Sequence, residues 1–377
     1  MTPAALSARL DAGEDVTVLD VRDRAEVDAW HVDAPRLANV PYAKWLAADV
    51  RGSVADLAAE VEDAAPVVVV CARGQASAYV ASLLVREGVE ARTLAGGMRG
   101  WARLYQATEL DVDADGATVL QYRRPSSGCL AYLVVSGEAA AVVDPLRAFA
   151  DRYVADAAER GADLVAAVDT HVHADHVSGV RALRDAAGAT VVLPAGATER
   201  GLAFEATLLA DGGSVQVGDV ALEAVHAPGH TSEMTALRLG DLLLTGDALF
   251  LRSVPRPDLE AGDAGVPDLA RRLHATLTER FRVLPDAVAV APGHYASEAE
   301  RGPDGTYAAT LGEARARLPV FEADADAFVE HVLDDAPPRP ANFETVVAVN
   351  LGRESVGDDA AFELELGPNN CAASAAD

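Results

Sequence analysis

The sequence predicts an α/β protein in two blocks: a small parallel α/β domain over residues 1–108, then a larger mixed block from residue 118. Three observations carry this. At roughly 150 residues per domain, 377 residues make two domains, with at most a small third. The first block alternates short β-branched runs with helical stretches, the pattern of a parallel sheet. An acidic segment with a turn signal, Glu109-Leu110-Asp111-Val112-Asp113-Ala114-Asp115-Gly116, then divides the chain, placing a linker at 109–117.

Val16–Leu19 and Pro66–Val70 read as strands and Ala76–Glu87 as a helix. In the second block Thr118–Tyr122, Leu130–Val135 and Ala139–Val143 read as strands, the last ending at Asp144-Pro145. Leu164–Val168 is a strand leading into His171 and a helix around Val177–Ala187. The β-rich stretches Ser214–Val225 and Leu242–Leu244 follow. Beyond Gly302 come two helices and a last strand, Thr345–Val349, within a second domain drawn over 118–355. Residues 356–377 are expected to form a flexible tail, since Pro368–Asp377 is small and polar.

Half the residues are apolar, enough for two ordinary cores. Acidic residues number 59 against 31 basic, a formal charge of −28, and that field repels nucleic acid and anionic membrane surfaces. No uncharged apolar window is long enough to span a bilayer, and no basic stretch leads into an apolar run at the start. Three cysteines, Cys71, Cys129 and Cys371, give no disulfide framework. A soluble cytoplasmic protein is expected, and a homodimer is compatible with it. Lys44 is the sole lysine; every other strong cation is Arg. An Ala-rich, acid-rich surface with so little lysine reads as halophilic, because concentrated salt screens carboxylate repulsion.

Cys71 follows the buried run Val67–Val70, and Cys71-Ala72-Arg73-Gly74-Gln75-Ala76-Ser77 opens a helix. Inward N–H groups and a helix N-terminus favour a thiolate there, with Arg73 adding charge. Ala72, Arg73, Gly74, Gln75 and Ala76 would form the cradle of a negatively charged sulfur species. A Cys-based phosphatase would need Arg at position 77, where Ser77 stands.

Thr170-His171-Val172-His173-Ala174-Asp175-His176 follows a strand, so His171 and His173 project to one side. Pro228-Gly229-His230-Thr231, Thr245-Gly246-Asp247 and Pro292-Gly293-His294 each place one ligand on a glycine turn after a strand. Imidazole and carboxylate are ligands for borderline divalent metals. Five of nine histidines fall in these motifs; His31, His226, His274 and His331 are read as structural or solvent-facing.

Leu19-Asp20-Val21-Arg22, Glu26, His31, Ala38-Asn39-Val40-Pro41, the Cys71 loop and Gly96-Gly97-Met98-Arg99-Gly100-Trp101 together resemble the rhodanese domain over residues 5–105. The resemblance implies that Cys71 accepts sulfane sulfur as a persulfide. The four histidine and aspartate motifs resemble the metallo-β-lactamase superfamily over about 112–300, which implies an αβ/βα sandwich. In its two-metal form His171, His173 and His230 would hold one ion, Asp175, His176 and His294 a second, and Asp247 would bridge them.

Thr170–His176, Gly246-Asp247-Ala248-Leu249-Phe250, Arg256-Pro257-Asp258-Leu259 and Pro340–Asn350 further resemble persulfide dioxygenases. That resemblance implies one Fe(II) per chain on His171, His230 and Asp247, with His173, Asp175, His176 and His294 orienting the ligands. A small-thiol persulfide and dioxygen would be the substrates, and sulfite the product. Thiosulfate or sulfite would enter at Cys71. Arg256 and Tyr295 are candidates for binding the carboxylates of the thiol. The alternative is a thioester hydrolase similar to hydroxyacylglutathione hydrolase, with two divalent ions (Zn, Fe or Mn) and a bridging hydroxide.

Overall fold

The computed structural model describes residues 1–61, 66–260, 262–334 and 339–367, and Cys371 lies outside them. Two compact units result, one built on Met1–Leu104 and the other on Tyr105–Arg123 and Gly128–Glu365. Among the described residues no helix is long and apolar enough to cross a membrane.

The first unit contains β1 (Thr17–Asp20), β2 (Arg36–Asn39), β3 (Val67–Val70) and β4 (Ala91–Thr93), paired in parallel in the order β2-β1-β3-β4. β1 and β3 are buried along their whole length, because helices cover both faces of a parallel sheet. Their side chains divide accordingly. Leu19, Val67 and Val69 enter one apolar cluster, and Val18, Val68 and Val70 the other.

The second unit is a pair of sheets. One runs β11-β10-β9-β8-β7-β6-β5, from β5 (Gln106–Glu109), β6 (Thr118–Arg124), β7 (Cys129–Ser136), β8 (Ala139–Val143), β9 (Asp163–Val168), β10 (Thr190–Pro194) and β11 (Thr207–Leu209). The other runs in sequence order through β12 (Ser214–Val217), β13 (Val220–His226), β14 (Thr235–Leu239), β15 (Leu242–Gly246), β16 (Ala289–Pro292) and β17 (Ala309–Thr310). β7 shows how the layers form. Leu130, Tyr132 and Val134 face the core shared with the second sheet, whereas Ala131, Leu133 and Val135 face the cluster that holds Tyr153, Val180 and Leu183 of the covering helices. This is a sandwich of two mixed sheets following a small parallel α/β unit, as the sequence predicts.

Three segments differ from the reading of the sequence. Thr345–Val349 is not a strand but part of the helix Phe343–Asn350. Its β-branched run favoured extension, but burial of Val346, Val349 and Asn350 follows helical spacing, and tertiary packing decides. Glu109, placed in a linker, ends β5 and pairs with Leu120. Within the expected tail, Asp358–Leu364 is a helix that buries Ala361 and Phe362; Ala361 packs with Val177 and Val349.

Candidate functional site

In the first unit, Cys71 leaves the end of β3 and is 5% exposed. Gly74, at φ 95°, turns the chain so that its N–H donates to Cys71 Sγ at 3.0 Å and the helix Gln75–Arg86 can begin. Ser77 Oγ lies 3.2 Å from the sulfur and 2.7 Å from Thr93 Oγ1. Burial pushes the thiol pKa up. The Ser77 hydroxyl and the N–H groups of Ser77, Arg73 and Gly74 outweigh burial, leaving it below the ordinary thiol value. Arg73 contributes through its backbone, and its side chain is exposed along with Ala72 and Gln75. The Gly96–Arg99 segment backs the loop: Met98 N–H and Arg99 N–H donate to the carbonyls of Cys71 and Ala72. A Cβ at Gly97 would sit 2.1 Å from the Cys71 oxygen, so only glycine fits.

In the second unit, the ends of β9, β13, β15 and β16 bring His171, His230, Asp247 and His294 together, all buried. Asp247 Oδ2 lies 3.8 Å from His171 Nε2 and 3.7 Å from His230 Nε2. None of these three atoms has a hydrogen-bond partner among the described residues. Leaving three buried polar atoms unpaired is expensive, and a cation bound among them removes that cost. Their opposite ends are fixed. His230 Nδ1 donates to the Arg256 carbonyl at 2.7 Å, His171 Nδ1 is 3.0 Å from Thr170 Oγ1, and Asp247 Oδ1 accepts from His294 Nδ1 at 2.7 Å. Burial, then the charges of His173 and His230, hold the His171 pKa well below the usual imidazole value, so the ring is in its ligating form.

The other four residues bond more closely to carboxylates, though His173 Nδ1, Asp175 Oδ1 and His176 Nε2 also lack a hydrogen-bond partner among the described residues. His294 Nε2 is 3.0 Å from Asp175 Oδ2, so both of its nitrogens serve carboxylates. Burial lowers its pKa, but Asp247 and Asp175 raise it well above the ordinary value. His176 Nδ1 also meets Asp175 Oδ2, at 2.8 Å. His173 turns Nε2 to Asp144 Oδ1 at 3.1 Å and leaves Nδ1 3.9 Å from Asp175 Oδ1. The glycine turns make room for protein atoms rather than for an ion: a Cβ at Gly293 would meet Asp247 Oδ1 at 2.6 Å.

Arg256 and Tyr295, the candidates for substrate carboxylates, are turned inward. Arg256 is 1% exposed and forms a two-point pair with Asp258, at 2.6 and 2.9 Å. Burial raises the Asp258 pKa, yet Arg256 and Arg339 bring it down to about 2. The Tyr295 hydroxyl donates to Glu298, and its ring stacks on Tyr307. His31, His226 and His274 each bond a backbone carbonyl away from the site.

Sequence reasoning missed several members. Asp144, at φ 52°, accepts from Thr170 N–H and Oγ1 as well as facing His173. Its only sequence signal was a strand ending in Asp-Pro. Asn350 donates to the carbonyls of His173 and His176 and accepts from Ser178 N–H; Glu365 accepts from Val177 N–H. Cys129 Sγ lies 3.2 Å from Asp175 Oδ2, although no motif marked it.

Known proteins match both units. The metallo-beta-lactamase superfamily matches residues 125–294 and the rhodanese-like domain residues 2–104. The chain is 30% identical over 248 residues to the mitochondrial persulfide dioxygenase ETHE1 of Mus musculus, covering 63% of this chain and 90% of that protein. The Homo sapiens protein of the same name is 29% identical over 244 residues, covering 63% and 89%. The crystal structure of ETHE1 from Myxococcus xanthus superposes with a TM-score of 0.54 at 29% identity, covering 62% of this chain and 98% of that one. The chain thus belongs to the persulfide dioxygenase ETHE1 family of the metallo-β-lactamase superfamily, and carries a rhodanese-like domain ahead of it.

Proposed function

We propose that the second unit oxidises a small-thiol persulfide with dioxygen, using one Fe(II) on His171, His230 and Asp247, and that Cys71 carries sulfane sulfur for the same chemistry. The observation that supports a metal on these residues is the trio of unpartnered buried atoms, His171 Nε2, His230 Nε2 and Asp247 Oδ2. Two imidazoles and one carboxylate suit non-haem ferrous iron with positions left open. Iron bound there would offer those positions to the persulfide sulfur and dioxygen; the outer persulfide sulfur is the net electron donor to dioxygen, and with a water molecule it would leave as sulfite and free the thiol.

The protein's own groups do the rest. The Arg256 carbonyl and Thr170 hydroxyl fix the two rings, and His294 holds Asp247 Oδ1 so that Oδ2 faces them. Membership of the family supports a persulfide and dioxygen as substrates. At Cys71 the thiolate attacks the outer sulfur of thiosulfate; the S–S bond breaks, sulfite leaves with the bonding pair, and a cysteine persulfide remains. The reverse step returns thiosulfate from sulfite.

Metal content per chain, measured with oxygen uptake on a small-thiol persulfide, tests the reading. One iron with uptake is expected. Two metals per chain, no uptake, and rapid hydrolysis of lactoyl thioesters under nitrogen would replace it with a binuclear thioester hydrolase.

A further inference from the structure

Glu233 stands three residues after His230, in the turn that leads into β14, and is 1% exposed. Its Oε1 accepts two hydrogen bonds, from Val172 N–H at 2.9 Å and from Arg200 Nη1 at 2.7 Å. Val172 is the residue between His171 and His173. Oε2 has no hydrogen-bond partner among the described residues, so both bonds converge on a single oxygen. Arg200 follows the short helical turn Ala195–Thr198 after β10, and its side chain is 9% exposed. Gly196 lets that turn come close, since a Cβ there would sit 2.8 Å from Glu233 Cβ. Arg200 Nε also lies 3.9 Å from Glu260 Oε2. Glu260 accepts from Ser232 N–H and Ser232 Oγ, both at 2.6 Å. It stands four residues after Arg256, whose carbonyl holds His230 Nδ1.

We propose that Glu233 and Arg200 are positioning residues for the metal centre. The Glu233 carboxylate ties the His171–His173 segment to the His230 turn and so sets the two imidazoles relative to each other, while Arg200 holds its charge in place. The residue types follow from the chemistry. A carboxylate makes a stronger, charge-assisted bond to a backbone N–H than a neutral acceptor does. Once buried it needs a cation beside it, and Arg200 supplies one while turning another donor towards Glu260. Three segments are thereby cross-linked: 171–173, 230–233 and 256–260. His171 Nε2 and His230 Nε2 both face Asp247 Oδ2, at 3.8 and 3.7 Å, and a shift of either segment opens that triangle. Neither Glu233 nor Arg200 is a ligand in this scheme. Glu233 acts through the backbone of the loop.

This rests on a metal at His171, His230 and Asp247, which iron uptake by the unaltered chain reports separately. The test uses the full chain carrying Arg200→Met and Glu233→Met together. That pair removes the acceptor and both buried charges while keeping bulk, so neither partner is left unpaired. Glu233→Gln, which keeps an acceptor oxygen for Val172 N–H, is the rescue. In metal-free protein, hydrogen exchange over residues 170–176 should quicken in the double variant and stay near wild type in Glu233→Gln. With Fe(II) added in the absence of oxygen, the double variant should bind about 10–100-fold more weakly. At saturating iron its ferrous–nitric oxide complex should give an altered electron paramagnetic resonance signal, with Glu233→Gln again matching wild type. A purely structural role would lower the unfolding midpoint and leave that signal unmoved. Unchanged exchange, unchanged iron affinity or an unchanged signal in the double variant would each overturn the proposal, as would a Glu233→Gln chain that behaves like the double variant. If the unaltered chain takes up no Fe(II), the metal assignment itself fails, and the exchange comparison still decides whether Glu233 holds the loop.

Discussion

Ser77 tunes Cys71 through its hydroxyl oxygen, 3.2 Å from the sulfur, and through its backbone N–H. Because the Cys71 pKa is lowered, the thiolate persists below the pH at which an ordinary thiol protonates, and activity falls only as pH drops through that lowered value. Ser77→Ala removes one lowering contact, so the acid limb of the pH–rate profile for thiosulfate sulfur transfer should move to higher pH. Cys71→Ser should abolish transfer and leave iron content unchanged. At the other site, Asp247→Ala should lose both iron and oxygen uptake. His294→Ala acts only through Asp247 in this reading, so most iron should stay, with affinity or activity down by about 10–100-fold; metal analysis beside oxygen uptake checks both. The ligand motifs and the cysteine loop were legible in the sequence because each lies within a few residues of a strand end. Cys129 was not. It reaches Asp175 across 46 residues, and nothing near position 129 encodes that meeting.

The helix Phe343–Asn350 acts as a clamp on the loop that carries His171–His176. The Asn350 side chain makes three hydrogen bonds, to the carbonyls of His173 and His176 and from Ser178 N–H. Asn350→Ala leaves those buried groups unpaired and should cost about 1–3 kcal/mol for the worst placed of them. Denaturant unfolding should show the loss, and iron affinity should fall with it because the loop loosens. Glu365→Ala should act in the same direction through Val177 N–H, 2.9 Å from its carboxylate. This helix was also the segment the sequence misled on. Thr345-Val346-Val347-Ala348-Val349 has the composition of a strand, and only the surface it packs against reveals that a helical face is what is buried. The strands of the sandwich were easier, since the alternation along β7 records its two apolar clusters directly.

For the whole molecule, 59 carboxylates against 31 cations set the solution behaviour. Their mutual repulsion extends about 30 Å at 0.01 M salt and only about 3 Å at 1 M. The melting temperature should therefore rise from dilute buffer to molar potassium chloride, and a flat or falling curve would remove the halophilic reading. The clamp has a further consequence, in time rather than in space. Asn350 reaches back 177 residues to His173, and Glu365 reaches back 188 to Val177. Domains fold as the ribosome delivers them, at about 5–20 residues per second. All three proposed iron ligands will have left the ribosome while the two side chains that settle the His171–His176 loop are still unmade. The rhodanese-like unit can finish folding early, whereas the proposed metal centre must wait for the helices Phe343–Asn350 and Asp358–Leu364. A nascent chain stalled before residue 350 would carry every ligand and still hold its metal poorly.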